Sequence, residues 1–169
     1  MEKGLKGDIM TTANHMIEIK ETLCPDEKSY ICDKILRSIP SWFGIDASIV
    51  EYVEQVKGMP FYAALYEDNA IGFVALKIHN PFTLEIYVMG ILAKHHRRGI
   101  GKMLVERCVR HCEDSKIEFL TVKTVDESRE NKSYEKTRLF YLSQGFRPLE
   151  VFPLLWDKEN PCLFMAKNI

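Results

Sequence analysis

The stretch Leu92-Ala93-Lys94-His95-His96-Arg97-Arg98-Gly99-Ile100-Gly101-Lys102-Met103-Leu104 decides how this chain folds. Before it lies Leu84 to Ile91, an almost continuously apolar segment of the kind expected for a central strand covered on both faces. After it, apolar residues recur at helical spacing, so the stretch reads as a strand turning into an amphipathic helix. Two glycines at that junction let the backbone come close to a ligand, and the N–H groups of a first helical turn have no acceptor inside the helix. The helix dipole and the cationic side chains of Arg97, Arg98 and Lys102 suit such a turn to an anion, a phosphate or pyrophosphate above all. The plainer reading is a tight strand-to-helix turn in which the glycines serve only the backbone.

Spacing separates the Gly-rich turns that compete here. A dinucleotide fingerprint requires a third glycine three residues after the second, where Leu104 stands. A P-loop requires a glycine where His96 stands and a Ser or Thr where Met103 stands. The remaining pattern, His96-Arg97-Arg98-Gly99-Ile100-Gly101, resembles the acyl-CoA turn of the GNAT N-acetyltransferase family: Gln or Arg, two residues, Gly, one residue, then Gly or Ala. His96 departs from the usual first residue. The resemblance runs from around Phe61 to the C-terminus and includes Phe140-Tyr141-Leu142-Ser143-Gln144-Gly145-Phe146.

The resemblance implies an α/β (α+β) acyl-CoA N-acyltransferase fold, a mixed central sheet of about seven strands flanked by about four helices. It implies acetyl-CoA as cosubstrate, bound by Met89, Gly90 and Ile91 at the strand end and by His96, Arg97, Arg98, Gly99, Ile100, Gly101 and Lys102 at the turn. Tyr134 stands where many members have an Asn that contacts the cofactor. Tyr141 matches the family tyrosine that protonates the departing thiolate; its alternative is a core aromatic beside Phe140. Trp42, Phe43 and Trp156 fall on the acceptor side of the family's pocket, and each reads equally well as core or lid packing.

Acetyl transfer needs a neutral amine, while a free alkylammonium has a pKa of about 10.4, so a base is required. Glu85 is the acidic residue of the apolar strand, and burial there would raise a carboxyl toward the range useful to a base. It lies where histone-modifying members carry a catalytic glutamate. Alternatively it points to solvent or pairs with a lysine on a neighbouring strand. His79, His95 and His111 show no partner pattern and read as structural or surface residues.

With 169 residues and 46% hydrophobic content, the chain suits one well-packed domain. We expect residues 1–15 to be a flexible leader and 16–169 a single N-acetyltransferase domain. A formal net charge of -1 argues against nucleic acid and anionic lipid as partners, and leaves the arginine pair a local feature. The N-terminus has no apolar signal core, and no run suits a membrane span, so a cytoplasmic protein is expected. Five cysteines, an odd count without framework spacing, fit reduced thiols. Cys108, His111 and Cys112 share one predicted helix but fall short of four zinc ligands, so no metal is expected.

The element order expected is β-α-α-β-β-β-α-β-α-β-β: a strand near Met16 to Lys20, helices over Lys28 to Ser38 and Asp46 to Val56, and strands over Phe61 to Tyr66, Ile71 to Ile78 and Leu84 to Ile91. A helix over Gly99 to Ser115 follows, then a strand over Phe119 to Thr124, a helix over Tyr134 to Gln144 capped by Gly145, and two strands near Arg147 to Leu155 and Cys162 to Lys167. The function expected is direct acetyl transfer to a primary amine of a small molecule, amino acid or peptide. A catalytically weak or inactive acyl-CoA-binding module is the alternative. Monomer and homodimer both remain open.

Overall fold

Glu67 (φ 47°) and Asp68 (φ 62°) are two consecutive left-handed residues. That backbone matches the right-handed twist of paired strands, and it closes a two-residue hairpin between β3 (Phe61–Tyr66) and β4 (Asn69–Asn80). The computed structural model describes residues 8–12 and 15–169. Its other elements are β1 (Asp8–Thr12), β2 (His15–Glu21), α1 (Pro25–Arg37), α2 (Asp46–Gln55), β5 (Thr83–Ile91), α3 (Ile100–Ser115), β6 (Phe119–Val125), α4 (Lys132–Ser143), β7 (Arg147–Asp157) and β8 (Asn160–Asn168). The strands follow the order β1-β2-β3-β4-β5-β6-β8-β7, eight among the described residues. The eighth is β1, which pairs antiparallel with β2 where the sequence suggested a leader. Residues 1–7, 13 and 14 of that expected leader lie outside the described residues.

The chain divides into two units, one of residues 1–75 and 88–107, the other of residues 76–87 and 108–169. In the first, β1, β2, β3 and β4 pair antiparallel in sequence order. β2 alternates, with Ile17 and Ile19 buried and Met16, Glu18 and Lys20 exposed. Pro25 opens α1, whose Ile31, Cys32, Ile35 and Leu36 form one buried face. Phe61 and Phe73 stack with centroids 5.1 Å apart, and the Arg107 guanidinium lies 4.1 Å above the Tyr62 ring. Lys28 is buried on α1, and its ammonium donates to the Met59 carbonyl at 2.7 Å.

The second unit holds the parallel pair. Thr83 to Ile86 of β5 run beside Phe119 to Val122 of β6, which makes the sheet mixed. β8 pairs antiparallel with both β6 and β7. Asn131 caps α4, its Oδ1 accepting from the N–H groups of Ser133 (2.9 Å) and Tyr134 (3.2 Å). Gly145 (φ 89°) ends that helix as expected, and the Phe146 N–H returns to the Tyr141 carbonyl at 3.1 Å. α1 and α4 begin two or three residues earlier than their periodicity suggested, because Pro25 and the Asn131 cap start them ahead of the first apolar residue.

Candidate active site

The turn after β5 is built by its backbone. Ala93–His95 make one 3-10 turn, Arg97 adopts φ 63°, and Gly99 adopts φ 80°. The Gly99 carbonyl then accepts the Met103 N–H at 3.1 Å, the first hydrogen bond of α3. Ile100, Gly101 and Lys102 are therefore the residues whose N–H groups have no intrahelical acceptor. Ile100 is buried and holds the helix start in the core, while Arg97, Arg98, Gly99 and Lys102 are exposed. The arrangement can receive an oxyanion from solvent with backbone donors, a helix dipole and exposed cationic residues in the same turn.

Two histidines brace this turn. His96 Nε2 donates to the Ile91 carbonyl at 2.7 Å, tying the turn to the end of β5. Instead of a glutamine or arginine reaching outward, this position holds an imidazole bonded back to the protein. His95 is buried, and its Nδ1 accepts from the Arg98 guanidinium at 3.0 Å. Burial, then Lys94 and Arg98, hold the His95 imidazole below its ordinary pKa, which keeps Nδ1 free to accept. No partner for His95 was legible from residue spacing, because a one-turn contact to Arg98 exists only once the 3-10 turn forms.

Trp42 packs its ring edge against His96, with centroids 5.4 Å apart, so this candidate acceptor residue stands beside the cofactor turn. Phe43 packs on Tyr52 at 5.8 Å and lines a shallow cleft with Arg37, Pro40, Gly44, Asp46 and Ile49. Gly90 is buried, and a Cβ built on it would lie 3.0 Å from Ile35, 3.2 Å from Leu36 and 3.2 Å from Phe73. Its small size is thus explained by the close approach of α1. Met89 and Ile91 on either side of it are half-buried.

In the second unit, Glu85 is 5% exposed. Its Oε2 receives both the Lys123 ammonium, at 2.9 Å, and His79 Nε2. Lys123 is two residues beyond Thr121, the register partner of Glu85, and so shares its face of the sheet. This is the neighbouring-strand lysine of the alternative reading, joined by a histidine that had been read as unpartnered. His79 and Glu85 flank the turn at Asn80-Pro81, and that spacing was the signal for their pairing. Lys123 could be found only from the strand register.

Tyr141 is buried between Phe140 and Phe146, with centroids 5.2 and 5.3 Å away. Burial first, and Cys108 second, push its phenol above the usual range. Tyr134 sits half-buried in the first turn of α4, where burial also raises its phenol. Trp156, in β7, is 44% exposed. A cavity of about 370 Å³ is lined by His79, Asn80, Thr83, Thr121, Lys123, Phe152, Leu155 and Phe164. Among the described residues, no group of three or more His, Cys, Asp and Glu could hold a metal ion. No helix among them is long and apolar enough to cross a membrane.

Residues 30–146 match the model of the Acetyltransferase (GNAT) family. A relative in Bacillus subtilis, the uncharacterized N-acetyltransferase YsnE, is 29% identical over 69% of this chain and 76% of its own length. Among solved structures, a GNAT family acetyltransferase from Elizabethkingia anophelis with acetyl-CoA bound aligns with TM-score 0.68 at 18% identity, over 90% of this chain and 98% of that one. An acetyltransferase from Streptococcus agalactiae aligns with TM-score 0.71 at 17% identity, again over 90% and 98%. With the family model spanning both units and a mixed sheet leading into the Gly99 turn, this chain belongs to the GNAT acetyltransferase family.

Proposed function

We propose that the protein is an acetyl-CoA-dependent N-acetyltransferase that passes the acetyl group directly to a primary amine of a small molecule, amino acid or peptide. The observation that carries this reading is the Arg97 to Lys102 turn, where left-handed Arg97 and Gly99 lead into the open first-turn N–H groups and Arg97, Arg98 and Lys102 are exposed. That donor set suits a pyrophosphate. We assign the cofactor's diphosphate to this turn, its thioester end to the backbone of Met89, Gly90 and Ile91, and a lining role to Tyr134. Residues 16–169 act as one catalytic domain in this reading, in the cytoplasm, as a monomer or homodimer.

Glu85 serves as the base that removes the acceptor's proton, directly or through water, and Tyr141 as the acid toward the departing thiolate. Trp42 and Phe43 in the first unit and Trp156 in the second are the candidate acceptor contacts. The second reading, an acyl-CoA-binding module without turnover, draws on two observations: the Glu85 carboxylate is already engaged by Lys123 and His79, and burial makes the Tyr141 phenol a weaker acid.

The test is calorimetry with acetyl-CoA on the intact chain and on Gly101→Val, paired with thiol release across amines, amino acids, polyamines and peptides. A β-branched side chain in the first turn of α3 obstructs close approach of a diphosphate, so the affinity of Gly101→Val should fall by at least about ten-fold. Equal affinity in the two proteins would remove the diphosphate from this turn. Binding without thiol release from any acceptor would favour the module.

A further inference from the structure

The cavity of about 370 Å³ in the second unit lies at the small end of ligand sites, which run from about 300 to 1,000 Å³. Its walls fall into two kinds. Phe152, Leu155 and Phe164 supply an apolar side, and His79, Asn80, Thr83, Thr121 and Lys123 a polar one. The hydrogen bonds already made on the polar side decide what remains for a guest.

Asn80 Oδ1 accepts the Phe82 N–H at 2.9 Å, which leaves the two N–H donors of its amide. Lys123 gives one of its three donors to Glu85 at 2.9 Å and keeps two. Glu85, the carboxylate beneath this wall, has its Oε2 covered by Lys123 and His79. The Thr121 hydroxyl donates to the Leu84 carbonyl at 3.3 Å. Asn80 Oδ1 and Glu85 Oε2 are thus committed as acceptors, while N–H donors of Asn80 and Lys123 are left over. A donor-rich wall beside a lysine, facing aromatic rings, matches a carboxylate on an apolar body.

We propose that this cavity binds the acceptor, and that the acceptor is a small amine carrying a carboxylate on an aromatic or aliphatic body, as an apolar amino acid does. The proposal rests on the N-acetyltransferase reading and narrows it. Lys123 and Asn80 hold the carboxylate, and Phe152, Leu155 and Phe164 pack the body. Glu85, beside its role as base, holds Lys123 in place for recognition through their pair.

The experiment is calorimetric titration of the intact chain with L-phenylalanine, 3-phenylpropanoate and phenethylamine, which separate the carboxylate from the amine. L-Phenylalanine and 3-phenylpropanoate should bind at least about ten-fold more tightly than phenethylamine. Asn80→Asp keeps the oxygen that caps the Phe82 N–H and replaces two donors by a negative charge at an exposed position. It should weaken both carboxylates about ten-fold, while phenethylamine, a cation at neutral pH, binds no more weakly than to the parent. Lys123→Met should erase the preference, with acetyl-CoA affinity as the check that the variant is folded. Phenethylamine binding as tightly as the carboxylates, or no binding of either carboxylate up to about 10 mM, would overturn the proposal. Acetylation of phenethylamine in preference to phenylalanine would overturn it too while sustaining the N-acetyltransferase reading. Carboxylate binding by a chain without acetyl-CoA affinity would support the cavity and sink that reading.

Discussion

The phenol of Tyr141 shows how burial bears on a catalytic role. A thiol leaving group has a pKa of about 8.5, and a phenol pushed above its ordinary value by the surrounding Phe140 and Phe146 gives up its proton to such a thiolate only when held against it. Tyr141→Phe is therefore expected to keep acetyl-CoA affinity and slow turnover by about ten- to ten-thousand-fold, the lower end applying where water substitutes. Parent-like kcat in the purified variant would mark Tyr141 as a packing residue. Glu85 teaches a related lesson about what one strand can reveal. Its burial followed from its place in an apolar segment, but its compensation comes from Lys123, 38 residues away, and from His79 across a turn. A buried carboxylate has to be paired, and a search limited to its own strand could not find the partner.

At the scale of elements, periodicity and punctuation made the order of strands and helices legible. β3 ends where predicted because Glu67 and Asp68 turn the chain there, and Gly145 ends α4 through its positive φ. What stayed hidden was why Gly90 is a glycine. The family resemblance offered a cofactor contact; the geometry gives Ile35 and Leu36 of α1 and Phe73 of β4, all within 3.2 Å of an added Cβ. Distances that short are tighter than ordinary van der Waals contact, and the neighbours are packed core side chains with little room to yield. Gly90→Val should destabilise the fold by about 1 to 3 kcal/mol, lowering the midpoint of thermal unfolding. A midpoint equal to the parent's would mean that α1 can move away from the sheet without loss. β1 was missed for a different reason: its run Asp8-Ile9-Met10-Thr11-Thr12 has too little apolar alternation to stand out, and its pairing with β2 supplies the strand.

Across the whole molecule, the features that sequence reading located best are those carried by local backbone chemistry: the Gly99 turn and the Gly145 helix end. Those that needed the fold are the pairings between elements, His95 with Arg98, His96 with Ile91, Glu85 with Lys123. The distribution of thiols has a practical consequence of its own. Cys32, Cys108, Cys112 and Cys162 are buried, and burial pushes the thiols of Cys32, Cys112 and Cys162 up to about 12, 11 and 11, whereas Cys24, just ahead of α1, is exposed. Thiolate is the reactive form, so at neutral pH a maleimide should attach once, at Cys24, and mass spectrometry should find a single adduct until denaturant is added. The protein thus carries a ready attachment point for a fluorophore at the entrance to α1, and its unfolding can be counted adduct by adduct.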